Sequence, residues 1–341
     1  MKKKQICTLL LAILTILAFS CKGDKSEDGR ILFKSGCYPN AVLHDGKYYY
    51  TMQDGASGRI RLWCADDIMQ IGEAKPKTVW NPKEKTTKYN IWSPELHYID
   101  GKWYIYYEAD DGNTDNHTLH VLENTSPDPT KGKFRYKGTL LTYKEWNWGI
   151  HPSTFINRGV QYLVWSGWPK RRSDDEVQCI YIARMKNPWT VESKRVMISQ
   201  PIYEWERQWI NPDGSRSAYP IYVNENPEPV FSKDKKTIMI CYSASGCWTL
   251  YSALGMVYAD TSSDLLNPKS WKKKKEPVFM SSEKDSIYGP SDISVVESKD
   301  GKKTYLLYET KKIKVHTTIK DVRIKEIEWA KNGMPIFGKP M

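Results

Sequence analysis

One short phrase recurs five times along the 341 residues: a proline-containing start of an apolar strand, then a turn, then an aromatic-rich second strand. The starts are Cys37-Tyr38-Pro39-Asn40, Trp92-Ser93-Pro94-Glu95, Ile150-His151-Pro152-Ser153, Glu225-Asn226-Pro227-Glu228 and Gly289-Pro290-Ser291-Asp292. Their prolines lie 55, 58, 75 and 63 residues apart, the period of a four-stranded blade with its loops. Asp45-Gly46, Asp100-Gly101, Arg158-Gly159 and Asp300-Gly301 stand between the paired strands and are strong hairpin signals. The repeat predicts an all-β chain folded as a five-bladed β-propeller, in which the first strand of every blade meets the others at one central funnel. A β-sandwich, the competing all-β architecture, gives no reason for five similar starts.

The N-terminus reads differently. Lys2, Lys3 and Lys4 precede an apolar run from Ile6 to Phe19, the pattern of a signal peptide over residues 1–20. The run is shorter than the ~20 residues that span a bilayer as a helix. Leu17-Ala18-Phe19-Ser20-Cys21 resembles a bacterial lipobox, which implies acylation of Cys21, a membrane-held mature chain and an exported lipoprotein, periplasmic or at the cell surface. Residues 21–30 are polar and read as a flexible tether. Residues 31–341 are then a single domain, since a closed five-blade ring uses that length as one unit.

Composition narrows the partner. The chain carries 14 Trp and 22 Tyr against 7 Phe, and rings with one flat face and one polar edge suit stacking on sugars. Net charge is +11 at neutral pH, with Lys272–Lys275 and Lys311–Lys314 read as solvated surface runs. No nucleic-acid motif accompanies that charge, so nucleic acid is excluded as a partner. Beyond Cys7 and Cys21 there are five cysteines, Cys37, Cys64, Cys179, Cys241 and Cys247. An odd number leaves at least one thiol free, and the spacing suggests no zinc site.

Longer phrases carry a family resemblance. Trp92-Ser93-Pro94-Glu95-Leu96-His97 with Asp100 to Tyr107, Lys186-Asn187-Pro188-Trp189-Thr190 and Val223-Asn224-Glu225-Asn226-Pro227-Glu228 are three of them. Ser243-Ala244-Ser245, Ser263 to Trp271 and Asn332 to Gly338 are three more. Together they resemble glycoside hydrolase family 43, five-bladed propellers that cleave arabinose- and xylose-containing glycans, and in particular its exo-acting arabinofuranosidase-like branch. The resemblance covers residues 31 to 341 and implies an oligosaccharide or polysaccharide partner. It also implies no required cofactor, with a structural calcium in the central channel as an open question.

The resemblance implies three catalytic carboxyls, of which one is present. Glu225 matches the general acid. Tyr38 stands where the base Asp belongs, His151 where the Asp that tunes the acid belongs, and Asp292 where a channel His belongs. Tyrosine, with an unperturbed pKa of about 10, is a poor base at neutrality. A His151 charged near neutrality would lower the pKa of Glu225 rather than raise it. Glu95 and Asp292 are the candidate replacement bases, and a Tyr38 nucleophile is a third route. Tyr38, Asn40, Trp92, His151, Asn224 and Glu228 are expected to line the pocket, with Trp146, Trp148, Trp168 and Trp209 as further stacking candidates. Three readings remain: an arabinofuranosidase-like glycosidase with Glu225 as acid and a non-standard base, a catalytically disabled relative that binds carbohydrate from a lipid anchor, or a structural or protein-interaction propeller, which gives Glu225 and a polar funnel no use.

Overall fold

The computed structural model describes residues 29–53, 58–83, 87–144, 147–171, 177–311 and 313–341. The leader, Cys21, most of the tether and Trp146 lie outside the described residues. Arg30, placed by sequence in the tether, instead begins strand β1 (Arg30–Phe33).

The rest of the chain is a succession of antiparallel meanders. The first sheet runs β2 (Cys37–His44), β3 (Lys47–Gln53), β4 (Ile60–Ala65), β5 (Lys77–Trp80). The second runs β6 (Tyr89–Ile99), β7 (Lys102–Asp110), β8 (Thr118–Asn124), β9 (Arg135–Thr139). Next come β10 (Ile150–Asn157), β11 (Val160–Gly167) and β12 (Val177–Asn187), the last pairing with short β13 (Thr190–Val191) and β14 (Val196–Ser199). After β15 (Arg207–Ile210), the fourth meander is β16 (Arg216–Phe231), β17 (Thr237–Ala244), β18 (Ala253–Asp260), β19 (Lys272–Lys273). A two-residue parallel bridge, Val177 to Tyr222 and Gln178 to Val223, joins the third and fourth meanders into one sheet. The last sheet holds β20 (Tyr288–Glu297), β21 (Thr304–Lys311), β22 (Asp321–Trp329) and β23 (Pro335–Ile336), with β1 paired to β22. The first and last strands of the chain therefore share one sheet.

The aromatic second strands are buried on both faces, and their alternation explains their composition. In β7, Tyr104 and Tyr106 pack toward the third meander, whereas Trp103, Ile105 and Tyr107 pack toward the first. In β21, Leu306 and Tyr308 join residues of the fourth meander, whereas Tyr305 and Leu307 join Tyr50 and Trp63 of the first. The same two-sided pattern in β3, β11 and β17 places an apolar cluster between each pair of successive meanders, and one between the fifth and the first. Three of the hairpins turn on a left-handed pair, Asp45-Gly46, Asp100-Gly101 and Arg158-Gly159, with φ of 47° and 70°, 49° and 78°, and 50° and 77°. That pair defines the type I′ turn.

Every first strand also carries a left-handed, non-glycine residue within it: Tyr38, Ser93, His151, Asn226 and Asp292, with φ of 55°, 40°, 53°, 53° and 43°. Pairing with the second strand slips at each of these points. In four strands the next residue is the repeat's proline; in the fifth it is Ile293, so Asp292 is the structural equivalent of Tyr38 and His151. Such conformations cost of order 1–3 kcal/mol each and persist where the surroundings over-determine them. Here the surroundings are side-chain bonds between neighbouring first strands. Asn40 Oδ1 accepts from Leu96 N (2.9 Å), His151 Nδ1 from Asn226 N (3.1 Å), Glu228 Oε1 from Val295 N (2.9 Å) and Ser294 Oγ from Ala41 N (3.1 Å).

Candidate active site

A cavity of about 410 Å³ opens where the first strands begin. Its walls are aromatic: Tyr38, Trp92, Trp148, Trp168 and Trp248, with His117 and His151. Trp148 and Trp168 stack at 4.0 Å with planes 8° apart, and the Trp148 indole donates to Thr114 O (2.9 Å), which fixes the pair as a flat wall. Trp92 lies against the His117 ring at 4.4 Å.

Glu225 is the deep carboxyl of this cavity, 2% exposed near the middle of β16. Its Oε1 accepts from the backbone N of Cys247 (2.9 Å). Tyr38 faces it across the floor, with its phenol 3.7 Å from Cys247 Sγ. Burial, then Cys247, Asp292 and Glu225, push the Tyr38 phenol well above its ordinary value. A proton held that firmly leaves no basic oxygen at neutral pH.

His151 departs from the sequence expectation of a cation. Burial pushes its pKa down to about 3, so the ring is neutral at physiological pH. Its Nδ1 accepts from Asn226 N, which puts the proton on Nε2, 3.7 Å from Glu108 Oε1. The Nδ1 lone pair is spent on Asn226 N and Nε2, buried without a hydrogen-bond partner, carries the proton, so His151 neither charges Glu225 nor offers a lone pair to water.

Behind Tyr38 lies a buried charge cluster that sequence reasoning missed. Lys320 Nζ bonds Asp292 Oδ2 (3.0 Å) and also Glu309, and Glu309 accepts from the Tyr38 backbone N. Ser243 Oγ donates to Asp292 Oδ1 (2.9 Å). Burial opposes ionisation of Asp292, but Lys320 outweighs it and holds the carboxyl down at about 2. Burial raises Glu309 instead, and the neighbouring Asp292 charge adds to the rise. The cluster pairs the Lys320 ammonium with the Asp292 carboxylate, with the Glu309 carboxyl, its pKa raised, beside them. A calcium beside Asp292 does not fit, because the Lys320 ammonium already occupies the cation position. Among the described residues no group of three His, Cys, Asp or Glu is arranged to hold a metal ion.

The predicted site residues thus divide. Tyr38, Trp92, His151 and Glu225 meet in the cavity, whereas Asn40, Glu95, Asn224, Glu228 and Asp292 are not among its lining residues. Strand alternation resumes beyond each left-handed residue and turns Asn40 and Glu228 sideways into the neighbouring first strands. Glu95 packs against His97 Nε2 (3.0 Å), and Asn224 bonds Ser199 (2.7 Å) and Glu206 (2.9 Å). Neither Glu95 nor Asp292 has the cavity access a base requires. Trp209 is exposed on β15 and is not among the lining residues. Trp248, Asp115 and Lys320 were missed. Trp248 follows the Ser243-Ala244-Ser245 phrase closely enough to have been found, whereas Lys320 resembles any other lysine of a basic chain. Lys311, read as surface, is 1% exposed and donates to Cys247 O (2.7 Å). The five described cysteines are all free thiols.

The buried groups set a pH dependence. Burial raises Glu95 and Glu108 to about 8, so as pH rises from the unfolded value near 4.5 toward 8 the folded state retains protons that the unfolded chain releases. Stability falls through that window. Burial lowers His97 and His120 to about 4 and His151 to about 3, so below 6.5 the unfolded chain takes up protons that the folded state refuses. Stability falls there too. The urea midpoint is expected to be highest between about pH 4.5 and 6.5 and lower at pH 8 and pH 3.5; a midpoint rising steadily to pH 8 contradicts these assignments.

The model of the family described as "Glycosyl hydrolases family 43" matches residues 35–335. An "Extracellular exo-alpha-(1->5)-L-arabinofuranosidase" of Streptomyces avermitilis is 33% identical over 314 residues, 89% of this chain and 61% of that protein. "Alpha-L-arabinofuranosidase B" of Pyricularia oryzae is 30% identical over 321 residues, 91% of this chain and 63% of that protein. The chain thus spans about three-fifths of the length of these two relatives. Among solved structures, the alpha-L-arabinofuranosidase from Lactobacillus brevis superposes with a TM-score of 0.83 at 28% identity, covering 93% of this chain and 98% of that one.

Proposed function

Because the chain belongs to glycosyl hydrolases family 43, we propose that it is a glycosidase of the α-L-arabinofuranosidase type, acting on side chains of plant-type or related polysaccharides. Residues 31–341 serve as a five-bladed propeller around the cavity. The single observation that carries the reading is Glu225, a carboxyl buried deep in a cavity walled by tryptophan faces and large enough for a sugar unit. In this role Glu225 protonates the leaving glycosidic oxygen, while the stacked Trp148–Trp168 wall orients the ring.

A second reading is favoured by a specific observation: neither Tyr38 nor His151 offers a basic atom. A family member without a base becomes a carbohydrate-binding protein. The two readings separate on one panel of pentosyl and hexosyl glycosides and arabino-oligosaccharides, followed by sugar release and calorimetry. The glycosidase reading expects release of a terminal sugar; binding without turnover of any member replaces it with the binding reading.

The protein is exported, in keeping with relatives named extracellular, and is held at a membrane by a lipid on Cys21. Radiolabelled fatty acid is expected in the wild-type protein and absent from Cys21→Ala; equal label in both rejects the anchor.

A further inference from the structure

Neutral Tyr38 and His151 leave the hydrolytic reaction without its base, and the replacements suggested by sequence lie outside the cavity. Inverting hydrolysis needs a second carboxylate roughly 6.5–9.5 Å from the acid, with room for water between them. Among the described residues lining the cavity, the carboxyl groups are Glu225 and Asp115. We infer that Asp115 is the general base of this protein, an inference that rests on the glycosidase reading above.

The loop that carries Asp115 is built to hold it. Asp115 sits in a single helical turn, Thr114–Asn116, between β7 and β8, and Asn113 Oδ1 caps its backbone N (3.0 Å). Asp110 Oδ1 accepts from Gly112 N (2.7 Å), and Asn116 Nδ2 donates to Asp111 Oδ1 (3.2 Å). The turn is anchored to the cavity wall at Thr114 O, which accepts the indole N–H of Trp148 (2.9 Å) and the backbone N of His117 (3.3 Å). Below it, His117 Nε2 lies 3.0 Å from Asn90 O and 3.3 Å from Asp110 Oδ2, with the His117 and Asp110 side chains buried. Asp115 is half-buried where Glu225 is 2% exposed, and the two carboxyls reach the same cavity from separate parts of the fold, the β7–β8 connection and β16.

The step balances without a further reactant. Asp115 takes a proton from water as the water oxygen bonds to the anomeric carbon. The bond from that carbon to the leaving oxygen breaks, and Glu225 supplies the proton to the departing alcohol. Solvent exchange then returns Asp115 to its carboxylate and Glu225 to its acid form.

The test uses the full mature chain and the glycoside that the wild type turns over best. Asp115→Asn is expected to lower kcat 10²–10⁴-fold with KM within about threefold. In Asp115→Gly, azide should restore turnover and yield a glycosyl azide of inverted configuration. Turnover by Asp115→Asn within threefold of wild type, a loss confined to KM, or no azide adduct each overturns the assignment of Asp115 while leaving the glycosidase reading intact. A wild type inert on every glycoside removes the glycosidase reading and this inference with it.

Discussion

Glu225→Gln is expected to lower kcat by 10²–10⁴ on substrates with a poor leaving group, such as arabino-oligosaccharides. The amide keeps the size of the side chain but cannot donate the proton that the leaving oxygen needs. Because an activated aryl leaving group departs without that proton, the loss on a dinitrophenyl glycoside should be far smaller. KM and glycan affinity should change little, since the aromatic wall of Trp92, Trp148 and Trp168 is untouched. Equal losses on both substrate types, or a loss confined to KM, assign Glu225 to binding rather than to acid catalysis.

The second large effect concerns stability. Lys320 is buried between Asp292 and Glu309, and burial opposes its charge while Cys247, Glu309 and Asp292 outweigh that opposition. Lys320→Met leaves the Asp292 carboxylate without its counter-charge in a site from which water is excluded. Removing one partner of a buried pair costs about 3–5 kcal/mol, to be read as the shift in urea-unfolding free energy at pH 7. The combined Lys320→Met, Asp292→Asn chain should recover much of the loss, because no unpaired charge remains. A single variant within about 1 kcal/mol of wild type would show that the Asp292 carboxylate does not depend on Lys320 as its counter-charge.

The repeat was legible because strand starts and type I′ turns leave local marks: prolines, Asp-Gly pairs and two-sided aromatic strands. Its phase was less so. Pro290 suggested that Asp292 lay two residues past the landmark, whereas its φ of 43° makes it the counterpart of Tyr38 and His151. A left-handed residue has no side-chain signature unless it is glycine, so the slip was invisible. Glu225 was found because a local phrase surrounds it. Protonation was not legible, since the neutrality of His151 depends on burial and on the Asn226 N–H, a contact 75 residues away in sequence. Lys311 and Lys320 were lost for the same reason: a lysine read one residue at a time is a surface residue, and only the cluster behind Tyr38 makes these two structural.

A crystal structure of Glu225→Gln soaked with an α-1,5-linked arabino-oligosaccharide tests the central claim most directly. The account predicts a terminal sugar in the cavity, its ring against the Trp148–Trp168 wall, with the scissile oxygen about 2.6–3.2 Å from the residue 225 side chain. A glycan bound on an outer face, or one in the cavity with its glycosidic oxygen turned away from residue 225, would contradict it.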